Sequence, residues 1–190
     1  RPRRAAETDP GDARAQEGQG DVNFQRHRYA NAVEGYEAYL RLDDHSAPVS
    51  YKLGLAARGQ GDLLTATTAL QEAVRLNPSF AEAHYVLGLC LKERGQLRDA
   101  EGAFEKALAI SPALIPAREE LADLDRLQGQ TREEIEQLEA LAALDPTRAE
   151  RPIAVGLAYS RTGNPDMAAT ALGRAVERFH DYPGVDAARG

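Results

Sequence analysis

The sequence predicts an all-α chain, a solenoid of stacked helix-turn-helix hairpins, and three observations predict it. Small residues recur at one spacing: Gly20, Gly54, Gly88, Ala122, Gly156 and Gly190 each stand 34 residues after the last. A second small row, Ala32, Ala66, Ala100, Glu134 and Ala168, keeps the same register, as does a bulky row of Tyr36, Leu70, Phe104, Leu138 and Leu172. Turn formers supply the last row, Pro10, Asp44, Pro78, Pro112, Pro146 and His180. Four rows in one register mark a repeat architecture, in which each unit buries its apolar face only by stacking on its neighbours.

The clearest unit is 81–114. Its first segment, 81–93, places Ala83, Val86, Leu87, Cys90 and Leu91 on one helical face, and Gly95 follows where a left-handed cap suits glycine. Its second, 97–110, repeats the pattern with Leu97, Ala100, Phe104, Ala107 and Leu108. Pro112 stops it, because the residue before proline is pushed out of the helical region.

With these marks the chain resembles the tetratricopeptide repeat (TPR) family over essentially its whole length. Leu53-Gly54, Leu87-Gly88 and Val155-Gly156 with Tyr159 match the family's first-helix signature. Ala66, Ala100 and Ala168 match the second helix, and Asn77-Pro78, Ser111-Pro112 and Asp145-Pro146 match the closing turn. The resemblance implies a right-handed α-solenoid, and it implies shape more strongly than function.

In chain order, residues 1–12 read as the end of a preceding partial repeat, as expected of a piece of a longer array or of one with degenerate ends. Repeat 1, 13–46, has a weakened first helix: Gln19 and Asn23 stand where Leu87 and Leu91 are buried in the reference unit, and His27 replaces the turn glycine. Repeats 2 and 3, 47–80 and 81–114, are the most regular and form the stable centre. Repeat 4, 115–148, carries four arginines against nine carboxylates, a balance of −5 within the chain's −7. Its acidic patch, Glu119, Glu120 and Asp123, reads either as a solvated face or as a dock for a basic segment. Asp125 and Glu134 stand there at positions that are apolar or small elsewhere. Repeat 5, 149–182, recovers the pattern, with Pro165 at a first helical position. Residues 183–190 begin a further partial repeat, and the whole reads as one continuous domain.

The chemistry is that of a binding surface rather than a catalyst. The four histidines, His27, His45, His84 and His180, fall at different places in the repeat unit, and His84 and Cys90 point to different faces, so no local metal pair is expected. A lone Cys90 between Leu89 and Leu91 reads as a core residue and excludes an intrachain disulfide. No glycine loop follows a strand, so no phosphate cradle is expected, and no cofactor is implied. An isoelectric point near 5.2 with scattered Lys and Arg disfavours nucleic acid. No apolar run approaches membrane-spanning length. Compartment is left open.

The resemblance places the concave wall on the first helices. Its residues are Glu17, Asp21 and Phe24; Tyr51, Leu55 and Arg58; Tyr85, Leu89 and Lys92; Glu119, Asp123 and Arg126; Ile153, Leu157 and Ser160. Across repeats Tyr51 lies beside Tyr85 and Leu55 beside Leu89, while Arg58, Lys92 and Arg126 form a basic line. The expected function is a protein-binding scaffold: a peptide's apolar side chain sits between the tyrosines and a carboxylate meets the basic line. The wall does not resemble the family's clamp for a C-terminal carboxylate, since no asparagine accompanies Lys92. Two other readings remain: a structural spacer that self-associates end to end through uncapped repeats, and the regulatory arm of an enzyme whose catalytic domain lies elsewhere.

Overall fold

The computed structural model describes residues 10–179. Among these the chain forms ten helices and no strand, divided into two compact units, 1–110 and 111–190. Unit 1 holds three hairpins, α1 (Pro10–Gln25) with α2 (Tyr29–Leu40), α3 (Ala47–Gln60) with α4 (Leu63–Leu76), and α5 (Ala81–Glu93) with α6 (Leu97–Ile110). Unit 2 holds α7 (Ile115–Gln128) with α8 (Thr131–Leu144), and α9 (Glu150–Arg161) with α10 (Pro165–Arg178). Pro10, Gly11 and Asp12 open α1; the rest of the partial repeat expected over 1–12, and the one over 183–190, lie outside the described residues.

Each hairpin turns the same way. The residue between its helices takes a left-handed backbone at His27 (φ 56°), Gly61 (88°), Gly95 (75°), Gly129 (73°) and Gly163 (68°), the same register position throughout. Glycine meets this geometry without steric cost, whereas His27 bears a Cβ that crowds the backbone. Its ring lies edge-on to Tyr29, with Nδ1 2.9 Å from the Tyr29 hydroxyl.

Within a hairpin the helices approach through the small row. A Cβ on Gly88 would lie 2.5 Å from Cε1 of Phe104, one on Gly54 2.5 Å from Cγ of Leu70, and one on Gly20 2.6 Å from Cε1 of Tyr36. Unit 2 repeats the arrangement with Gly156 against Leu172, also 2.5 Å. Phe104, Leu70 and Tyr36 are fully or almost fully buried in these holes. Around them Ala32, Val49, Leu53, Ala56 and Ala69 form the core of the first two hairpins, with Phe24, Val33, Tyr39 and Leu40 packed against it.

α1 is a regular helix despite its polar sequence. Gln19 is exposed, and Asn23 turns its amide back onto the Gln19 carbonyl at 3.0 Å. The helix is held from outside: Gly35 of α2 faces Gly20 so closely that a Cβ on it would lie 3.0 Å from the Gly20 Cα. Lys52 of α3 reaches Glu17 and Asp21, both at 2.8 Å.

In unit 2 the two carboxylates that stand at apolar or small register positions are buried. Asp125 and Glu134 are 2% and 4% exposed. Glu134 accepts two bonds of 2.7 Å from Arg161, a lateral clamp from α8 to α9. The carboxylate takes the place of the small residue found at this register elsewhere because Arg161 supplies its counter-charge.

Candidate functional site

The first helices of unit 1 position the site. Asp21 and Phe24 of α1, Tyr51, Lys52 and Leu55 of α3, and Phe80 at the N-cap of α5 border a cleft of about 380 Å³, with Tyr36 below and Gln25 and Pro48 at its edges. Three-and-four spacing along α1 and α3 sets these side chains on facing stripes. The Tyr51 ring leans on Phe80, centroids 4.8 Å apart and planes at 47°. Burial pushes the Tyr51 hydroxyl up, assisted by the charge of Glu82 and by Tyr85.

A polar network runs through the cleft's own lining. Tyr36 donates from its hydroxyl to Asp21 at 2.8 Å, and Lys52 bridges Asp21 and Glu17. Burial pushes the Tyr36 hydroxyl well above its usual range, and the hydrogen bond to Asp21 adds to the shift. For Lys52 burial works against the charge, but its two carboxylates outweigh it and raise the ammonium's pKa.

The predicted residues divide between the units. Tyr51 and Leu55 border the cleft, both half-buried. Tyr85, half-buried on α5, packs against Phe104 at 6.0 Å between centroids. Leu89 and Lys92 are also half-buried on α5. Arg58 turns to Glu93, giving Nε and Nη2 to the same oxygen at 2.9 and 2.6 Å. The third cation of the expected basic line, Arg126, lies in unit 2 and pairs with Asp123 at 3.1 Å. In the acidic patch Glu119 is held by Arg151 of α9, while Glu120 is half-buried on α7. Ile153 is half-buried and Leu157 is 54% exposed on α9.

Sequence reasoning missed Phe80, Pro48 and Lys52. The first two lie outside or at the edge of the helical periodicity, and Lys52 sits one residue from the counted stripe. A signal for Lys52 was present nonetheless: Asp21 lies 31 residues before it and Glu17 lies 35, close to one repeat length.

Other chemistry is sparse among the described residues. Asp43, Asp44 and His45 bring ligand atoms within 4.8 Å of one another, but all three are exposed. Asp43 already accepts from the Tyr39 hydroxyl and from the His45 backbone N–H, each at 3.1 Å. Cys90 is buried, and burial pushes its thiol up to about 11, the opposite of an activated nucleophile. No described helix is long and apolar enough to cross a membrane.

The family model of the tetratricopeptide repeat matches residues 3–47 and 51–115. The chain belongs to the tetratricopeptide repeat family. Solved TPR structures share its fold. MamA (residues 41 to the end) from Desulfovibrio magneticus RS-1 is 22% identical with a TM-score of 0.73, over 90% of this chain and 98% of that one. YrrB, described as a TPR protein with an unusual peptide-binding site, is 21% identical with a TM-score of 0.73, over 94% and 92%. The first TPR of Spaghetti (RPAP3), bound to the HSP90 peptide SRMEEVD, is 21% identical with a TM-score of 0.61, over 64% and 96%. No curated protein sequence matches the chain. At these identities the likeness is one of fold, and the TPR hairpins account for the repeated turns and glycine holes described above.

Proposed function

We propose that this TPR chain is a non-catalytic protein-binding module that captures a partner segment on the first-helix face of unit 1. The observation that carries the reading is the aromatic-lined cleft, where Phe24, Tyr51, Leu55 and Phe80 present apolar surface that the fold leaves open. Aromatic anchors in such clefts commonly dominate interface energy. Tyr85, Leu89 and the stem of Lys92 extend the same face along α5. YrrB and the Spaghetti domain, both of this fold and both described with peptides, support a peptide ligand.

Site-specific photo-crosslinking tests the reading. A crosslinking residue at Leu55 captures a partner protein, and one at Leu64, 66% exposed on α4, does not. Tyr51→Ala abolishes capture at Leu55 while the circular dichroism spectrum is unchanged. Equal capture from both positions, or capture indifferent to Tyr51→Ala, refutes it.

A further inference from the structure

We infer that the segment held in the cleft is basic: one large apolar side chain flanked by lysine or arginine. The inference rests on the groove reading above and adds the chemistry of the partner. It follows from what two cations of this face, Arg58 and Lys52, are already bound to. Arg58, which would otherwise attract a carboxylate, gives both of its described bonds to Glu93. Lys52, in the cleft lining with Asp21, is a single positive charge shared between Glu17 and Asp21, so this network keeps one negative charge in excess.

A second excess charge stands on α5, two residues after Phe80, which borders the cleft. Glu82 is exposed in the first turn of α5 and forms no ion pair among the described residues. Phe80, two residues before it, packs its ring on Tyr51, and the charge of Glu82 is felt at the Tyr51 hydroxyl. An apolar cleft with this excess of negative charge at its lining and on the adjoining first turn of α5 selects a segment whose own charges are positive, and like charges there repel.

Two fluorescein-labelled synthetic peptides test this against the full chain by anisotropy, both with a Leu-Phe-Leu centre, one flanked by Lys-Lys and one by Glu-Glu. The basic peptide binds about fivefold tighter at low salt, the size that two exposed ion pairs carry, and the gap narrows as salt rises. Glu82→Lys removes most of the preference without unfolding the chain, and Tyr51→Ala weakens the basic peptide severalfold. A preference for the acidic peptide, or none, overturns the charge inference and leaves the groove standing if Tyr51→Ala still weakens binding. Indifference to Tyr51→Ala, or no binding of either peptide, overturns the groove reading and this inference with it.

Discussion

Gly88→Ala and Gly102→Ala are the same chemical change in adjacent helices of one hairpin, and the packing predicts opposite signs. In the middle of a helix, replacing glycine with alanine gains about 0.5–1 kcal/mol from the reduced freedom of the unfolded chain. At Gly102 nothing lies within 4 Å of the new Cβ, so that gain is realised in full. At Gly88 the Cβ would meet Cε1, Cδ1 and Cζ of Phe104 at 2.5, 2.7 and 2.9 Å. Favourable carbon contacts lie at about 3.5–4.0 Å, so α5 and the ring must separate by roughly an ångström. Phe104 is 0% exposed and has no free space to enter. Overpacking of this kind costs about 1–3 kcal/mol, which exceeds the propensity gain. The expected result is a loss of about 1–2 kcal/mol for Gly88→Ala beside a gain of about 0.5–1 kcal/mol for Gly102→Ala. Urea unfolding followed by far-UV circular dichroism reads both. If Gly88→Ala proves as stabilising as Gly102→Ala, the claim that backbone forms the receptor for Phe104 is wrong.

Three further outcomes are expected. His27→Gly relieves the one left-handed non-glycine turn among the described residues and raises stability by about 0.5–1 kcal/mol, checked by the same denaturation; a loss would show that the Tyr29 contact outweighs backbone crowding. Arg161→Ala strands the Glu134 carboxylate between α8 and α9 and costs about 3 kcal/mol, whereas Glu134→Ala in that background recovers most of it, a coupling read from a double-mutant thermal cycle. The Cys90 thiol is raised from 9.0 to about 11, so the protonated form is the one the fold favours. Its stabilising contribution is complete below pH 9 and is lost as pH climbs toward 11. Below pH 9 Cys90 therefore reacts with iodoacetamide only at the rate of opening, and Cys90→Ala flattens the alkaline fall in melting temperature.

Much of the fold is legible because each mark is both periodic and physically required. The glycine of the first helix and the bulky residue 16 positions later are the two sides of one contact, as in Gly88 with Phe104, so reading either row anticipates the other. Helices expected at 81–93 and 97–110 occur at those bounds for the same reason. Side-chain commitments are less legible. Reading Arg58, Lys92 and Arg126 as a row treats each cation as free, but Arg58 meets Glu93, 35 residues on. Glu134 stands out of register as a carboxylate at a small position until Arg161, 27 residues on, is placed beside it. Such pairs join neighbouring repeats, so their separations fall near the repeat length without matching it. Phe80 escapes for a different reason: as the residue capping α5 it belongs to neither helical stripe, yet its ring closes the cleft against Tyr51.

The glycine holes have a consequence for how such a chain can change over evolutionary time. Because the receptor is bare backbone, it accepts a phenol at Gly20, an isobutyl group at Gly54 and Gly156, and a phenyl ring at Gly88 with nearly the same approach distance. Hairpins can therefore diverge in the inserted group without altering the geometry they hand to the next hairpin. Duplication or exchange of a whole hairpin preserves the fit, whereas a cut between its two helices separates the socket from the group that fills it. The natural unit of recombination in this chain is the complete hairpin.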